Sequence, residues 1–152
     1  MRAAAAEVRY AAFWPRLANY VIDVLITEVP LSILRVPLAS TPVGAPVVAG
    51  IIIAAVVAAY ETGTVAASGQ TVGMRVMKLR VVREEGGGLL PVGRAAARSV
   101  PFWIFHLFFF ALPIFIVVRL LADIAFLWSA WDPRGQGLHD KLGRGLVIQE
   151  QR

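Results

Sequence analysis

The chain contains no cysteine and only two histidines, His106 and His139. The first absence excludes disulfides and thiolate metal ligands. The second leaves a metal centre with little support, so neither a metal nor a cofactor is expected. Charge is scarce as well: 16% of residues are charged and 58% are hydrophobic, against the roughly 45 to 50% apolar content of an ordinary soluble domain. A mean hydropathy of +0.68 points the same way, to a membrane protein. The 152 residues fit one small domain, leaving no room for a separate soluble enzyme. No serine or cysteine nucleophile sits at a recognisable elbow. Gly69, Gly73 and Gly86 to Gly88 lack the Gly-Lys-Ser/Thr ending of a phosphate loop. No catalytic residue is therefore expected. No small-residue cleavage site follows a compact apolar core, so the first helix is expected to be uncleaved.

The net charge of +5 and pI near 10.4 do not point to nucleic acid, because the basic residues flank apolar runs instead of clustering with aromatics. They read as topology determinants. A short segment, 1–12, precedes the first apolar run, 13–36. The second run, 43–60, holds no charge and is long enough to span a hydrocarbon core at about 1.5 Å per residue. From 95 to 131 the chain is apolar again, and as one helix it would be about 55 Å long, too long for a bilayer. Pro113 is the expected break, giving helices near 95–111 and 114–131. The helix near 95–111, the third in the chain, either crosses fully or lies partly in the interface. Short cytoplasmic loops carry the Lys and Arg excess. Arg2, Arg9 and Arg16, then Arg75 to Arg98, then Arg134 to Arg152, all belong there, which requires an even number of crossings. The expectation is a membrane all-α bundle of four transmembrane helices with both termini cytoplasmic and a tail over 132–152.

The polar insert, 61–94, has a different character. Met77, Leu79 and Val81 alternate with Lys78 and Arg80, the period-2 pattern of a half-buried strand, and Glu84 to Gly88 signal a turn. A second short strand fits 145–150. The two would pair into a small cytoplasmic β element; the alternative is a basic segment lying on anionic lipid headgroups. Trp14, Trp103, Trp128 and Trp131 include several at span ends, where indole prefers the interface.

Charges inside apolar runs are the candidate functional residues, since an unpaired charge at mid-bilayer costs roughly 2.5 to 3.5 kcal/mol or more. Arg16 and Asp23 are two turns apart on one helical face, with Asn19 and Tyr20 between them. Glu28, Ser32 and Arg35 form a second stripe, and Arg119 and Asp123 are spaced for an i, i+4 pair. Two readings stand. In one, the pairs lock the bundle, with Arg16 and Arg35 snorkelling to opposite interfaces. In the other, Asp23 and Asp123 face a shared cavity and exchange a proton or cation, with Arg16 and Arg119 as counter-charges. His106 is expected to bond across helices, and His139 and Asp140 to make a structural contact between the tail and the insert. Gly50, Ala54 and Ala58 form a small-xxx-small stripe suited to helix packing, internal or between copies.

Three stretches resemble the RDD family of bacterial membrane proteins, named for an arginine and two aspartates. They are Phe13-Trp14-Pro15-Arg16-Leu17-Ala18-Asn19-Tyr20-Val21-Ile22-Asp23; Gly69-Gln70-Thr71-Val72-Gly73-Met74-Arg75 and the strand after it; and Gln136-Gly137-Leu138-His139-Asp140-Lys141-Leu142-Gly143-Arg144 with its closing strand. Asp123 and Asp140 are both candidates for the second aspartate, and Arg144 stands where a small residue is more usual. The resemblance implies a bacterial inner membrane location and a role in transport, including cation and proton exchange, with no substrate named. The rival expectation is a non-transporting accessory or assembly subunit of a larger membrane complex. Expected partners are therefore the lipid bilayer and either a second copy or a larger membrane complex, with no nucleic acid.

Overall fold

A computed structural model describes residues 9–38, 40–42 and 44–150. Arg2, Arg152 and most of segment 1–12 lie outside the described residues. Helix α1 (Phe13–Leu38) and helix α2 (Gly44–Ser68) form a hairpin. A short helix α3 (Val72–Val76) leads into strand β1 (Leu79–Arg83). Helix α4 (Val92–Trp103) continues into a 3₁₀ turn (Ile104–Phe108), and helix α5 (Leu112–Leu127) returns, closing with a second 3₁₀ turn (Trp128–Ala130). The tail forms helix α6 (Leu138–Gly143) and strand β2 (Gly145–Gln149).

The inserted strand pairs with the tail strand in antiparallel register, Leu79 opposite Gln149 and Arg83 opposite Gly145. The chain therefore has the expected sheet in place of a basic segment spread on a surface. Residues 9–11 add a third edge: Tyr10 bridges Ile148, Ala11 donates its N–H to the Val147 carbonyl, and Gln149 donates to Arg9. Under the helices, Ala11, Val65, Met74, Leu79, Val81, Leu90, Ala95 and Val147 bury an apolar core. Full burial of each Val, Leu or Met there contributes about 1.5 to 3 kcal/mol.

The helices themselves are arranged the other way round. Trp14, Leu25, Val29, Ile33 and Val36 on α1, Val48, Ile51, Ile52 and Val56 on α2, and Leu112, Ile116, Val117, Leu120, Leu121 and Ile124 on α5 all point outward. Arg16, Asn19, Asp23, Glu61, Arg98, Ser99 and His106 point inward. Exposed apolar area of this extent marks a surface made for something other than water. Two helices are long and apolar enough to cross a membrane, Gly44–Ser68 and Leu112–Ala130, each with mean hydropathy 1.9 and with 33% and 17% of the span buried. So little burial separates them from core helices of a soluble protein. In such surroundings apolar contact gives no preference for helix over lipid, and packing together with interhelical hydrogen bonds holds the bundle.

Several boundaries differ from the sequence expectation. The second helix does not stop at residue 60; it runs on to Ser68, because Val57, Glu61 and Val65 continue its buried stripe at a spacing of four. It ends at Gly69, whose positive φ of 72° suits the left-handed cap that glycine adopts without strain. The third segment is a 12-residue α-helix from Val92 followed by the 3₁₀ turn, not one helix over 95–111. The break falls at 109–111, and Pro113 sits in the first turn of α5, where its missing N–H is no loss. The Gly50 stripe faces inward: a Cβ at Gly50 would meet the His106 carbonyl at 2.6 Å and Phe109 at 3.5 Å. It is an internal seam between α2 and the 3₁₀ turn, with Ala54 buried and Ala58 partly buried.

Candidate functional site

Four ionisable clusters are stacked through the bundle. The first joins the tail to the helices. Asp140, fully buried, accepts from Arg16 Nη2, from Arg98 Nε at 2.9 Å and from the Gly137 backbone N–H at 3.0 Å, while His139 Nε2 lies 3.2 Å from its Oδ1. The Gly137 contact is half of a capping box, an acid at the third helical position reaching back to satisfy an orphan N–H. The His139 ring is stacked on Phe126 and edge-on to Phe102. A side chain at Gly137 would strike that ring and the Ala125 carbonyl. Burial alone would push the Asp140 carboxyl up, but the Arg16 and Arg98 charges and the hydrogen bond from His139 outweigh it and hold it well below the ordinary carboxylate range. Burial pushes His139 down against the pull of Asp140, so the ring is neutral and donates from Nε2.

The second cluster surrounds Asp23. Its carboxylate accepts from Thr71 Oγ1 at 2.5 Å, the Gly73 N–H at 2.8 Å, Tyr60 Oη at 3.2 Å and Asn19 Nδ2 at 3.3 Å. Thr71 caps α3 through Met74 N–H. Asp23 therefore acts as an additional cap for α3, delivered from another helix, and draws the Gly69 to Gly73 segment against α1. Gly73 has to be glycine: a Cβ there would sit 2.9 Å from the Asp23 carboxyl carbon.

The third cluster joins α1 to α5. Arg119 Nε donates to both oxygens of Asp123 at 3.1 and 3.2 Å, and its Nη2 donates to Tyr20 Oη at 2.7 Å, while Tyr20 donates to Asp123. The guanidinium also lies over the Phe105 ring at 4.9 Å, a favourable cation–π placement. The fourth lies toward the far end: Arg35 Nη1 donates to Glu28 at 2.7 Å, and Arg35 Nη2 lies 2.5 Å from His106 Nδ1. Since arginine only donates, Nδ1 accepts, and the His106 proton sits on Nε2, 3.4 Å from the other Glu28 oxygen.

The sequence-derived residues are thus all polar partners, but not always of each other. Glu28 with Arg35 and Arg119 with Asp123 pair as their spacing predicts. Arg16 does not pair with Asp23, and neither Arg16 nor Arg35 snorkels outward: Arg16 is 2% exposed, because Asp140 draws it inward. His139 and Asp140 meet Arg16 of α1, Arg98 and Phe102 of α4 and Phe126 of α5; among the described residues none of their hydrogen bonds, ion pairs or ring contacts reaches the insert expected as their partner. Asp23 lines a partly open cavity of about 40 Å³ together with Arg16, Glu61, Arg98 and His139; Arg119 and Tyr20 reach the same space, whereas Asp123 does not line it. Three contributors carry other readings in the sequence. Arg98 looks like a topology determinant, Glu61 like the first residue of the insert, and Thr71 like one residue of the insert's glycine-containing stretch. Only the continuation of α2's buried spacing pointed to Glu61.

A model of the RDD family matches residues 10–144 of the chain. No curated protein and no solved structure matches it.

Proposed function

The chain belongs to the RDD family, and from that premise we propose that it is a non-enzymatic, four-crossing inner-membrane protein that moves protons or small cations. The observation that carries the reading is the partly open polar cavity of about 40 Å³ among Arg16, Asp23, Glu61, Arg98 and His139, inside helices whose outer faces are apolar. Since about 10 to 15 Å³ holds one water, the space suits a few waters or one partly hydrated cation. Thr62 meeting Ser99 and Gly50 meeting the 3₁₀ turn set α2 antiparallel to α4; Tyr60 meeting Asp23 while Leu38 lies beside Gly44 does the same for α1 and α2, and Phe105 meeting Phe115 while Phe102 and Phe126 share Tyr20 does so for α4 and α5, an alternation in direction. That alternation supports four crossings, with the sheet and both termini on the cytoplasmic side. Intact protein in sealed vesicles, given a pH or sodium gradient, is expected to dissipate it faster than protein-free vesicles; equal rates under every gradient would count against transport.

The accessory-subunit reading is favoured by a different feature. Leu38, Gly44, Ala45, Val48, Ala49 and Ile52 line an open apolar groove of about 540 Å³ at the α1–α2 end, a seat for a helix of another protein. Isolation in mild detergent distinguishes the two: a stoichiometric partner of different sequence supports a subunit, and a persistent monomer or homo-oligomer opposes it.

A further inference from the structure

Among the acids in and beside the cavity, Glu61 differs from Asp23 and Asp140 in what it touches. Asp23 has four donors and Asp140 has two guanidiniums, a backbone N–H and a histidine. Glu61 is 8% exposed, yet among the described residues no hydrogen bond or ion pair reaches its carboxylate. It stands on the inward stripe of α2 between Val57 and Val65, both buried, and its head lies in the wall of the cavity. The same wall carries unspent polar atoms: Arg16 Nε and Nη1 and His139 Nδ1 are buried without partners.

A buried ionised carboxylate with no donor is among the most costly states a side chain can adopt, and such groups take a proton or a cation instead. Unspent donors on Arg16 and an acceptor on His139, around space for a few waters, are the partners that cavity water needs. The charged and titratable groups facing Glu61 are Arg16, Tyr20 and Asp23 from α1, Tyr60 from its own helix, Arg98 from α4, Arg119 from α5 and His139 from α6. Of these, the acids are already committed to donors and the bases are committed in part to Asp140 and Asp123.

We propose that Glu61 is a proton-exchange site: its carboxylate takes a proton from hydronium in the cavity, releasing water, and returns it to water in the reverse step, while Asp23 stays fixed as the cap of α3. The proposal rests on the transport reading for its purpose, but the protonation itself does not require net transport.

The test uses the intact protein in vesicles of phosphatidylethanolamine and phosphatidylglycerol, by pH-difference infrared spectroscopy alongside proton flux. The expected result is a protonated-carboxyl carbonyl band that grows as pH falls, disappears in Glu61→Gln and persists in Asp123→Asn, with flux losing its pH dependence in Glu61→Gln. Loss of the band in Glu61→Gln from a protein that shows no flux would uphold the site and overturn transport. A band unchanged in Glu61→Gln would overturn the site. Should Glu61→Gln not fold, Glu61→Asp keeps a carboxyl one methylene shorter; a shifted band supports the assignment and an unshifted one refutes it.

Discussion

Replacing Asp140 with asparagine preserves the shape of the side chain and removes the one negative charge that Arg16 and Arg98 both contact. All three groups are buried, so the two guanidiniums would be left in a low-dielectric interior without a counter-ion. Breaking a buried pair in this way costs about 3 to 5 kcal/mol, a large share of the ~5 to 15 kcal/mol that holds a typical domain together. At 1.36 kcal/mol per tenfold, the midpoint corresponds to roughly a 10³-fold rise in the population with the tail undocked. The chain has no cysteine, so a single Val147→Cys, at a position 1% exposed, reports that opening through its rate of maleimide labelling. The comparison is Glu150→Gln, which removes the Arg80 to Glu150 contact of 2.7 Å between two side chains that are both more than a third exposed. A surface pair of that kind contributes about 0 to 1 kcal/mol, so labelling should change by no more than about fivefold. If Asp140→Asn accelerates labelling less than tenfold, or no more than Glu150→Gln does, the clamp on the tail is not Asp140 and the reasoning fails. Because the folded state holds Asp140 well below its ordinary range, this contribution is complete above about pH 4 and fades only as pH falls through the depressed folded value.

His139 has the same sign for a different reason. Burial depresses its folded pKa, so the unfolded state takes the proton first, and stability should fall below about pH 6.5 by at most about 1.4 kcal/mol per pH unit. Labelling of the Val147→Cys reporter should rise over that window and be flatter in His139→Gln. Gly73→Ala places a methyl against the Asn19 carbonyl and the Asp23 carboxylate and should cost about 1 to 3 kcal/mol through overpacking, visible as a lower thermal midpoint in detergent; an unchanged midpoint would show that α3 does not pack this closely on α1. Arg144 caps α6 at φ 48°, a conformation costing a non-glycine residue about 1 to 2 kcal/mol. Arg144→Gly should therefore be neutral or slightly stabilising in the same melt, and a marked loss would assign the arginine side chain a role. A thiol introduced at Glu150 should react with an impermeant reagent only from the cytoplasmic side of oriented membranes.

Local periodicity carried much of the fold. Alternation at Met77 to Val81 announced β1, the apolar turns around Val57 announced α2, and the i, i+4 spacing of Arg119 and Asp123 announced their pair. Where reading failed, the competing influence is identifiable. Glu61 reads as the first residue of the polar insert because it is the first charge after the uncharged run 43–60, yet its buried spacing carries α2 two turns further. The helix in the tail, α6, has only six residues, too few for any periodic signal, and depends on Asp140 reaching back to Gly137 for its first turn. The candidate site was half legible: its residue types and their inward need for partners were visible, but most of the partners were not.

Local chain chemistry set what had to be satisfied: apolar outer faces, a scarce set of charges that lipid would not tolerate unpaired, and the faces on which they lie. Those properties follow from residue type and from the 3.6-residue repeat, both local. Which acid meets which base was decided by tertiary structure. Arg16 is seven residues from Asp23 and 124 from Asp140, yet it bonds to Asp140, because the sheet formed by β1, β2 and residues 9–11 draws the tail beneath the start of α1. Asp23 is then left to the donors of α3 and Glu61 to the cavity. Helix periodicity places a side chain on a face; only the packing of distant segments determines what stands opposite.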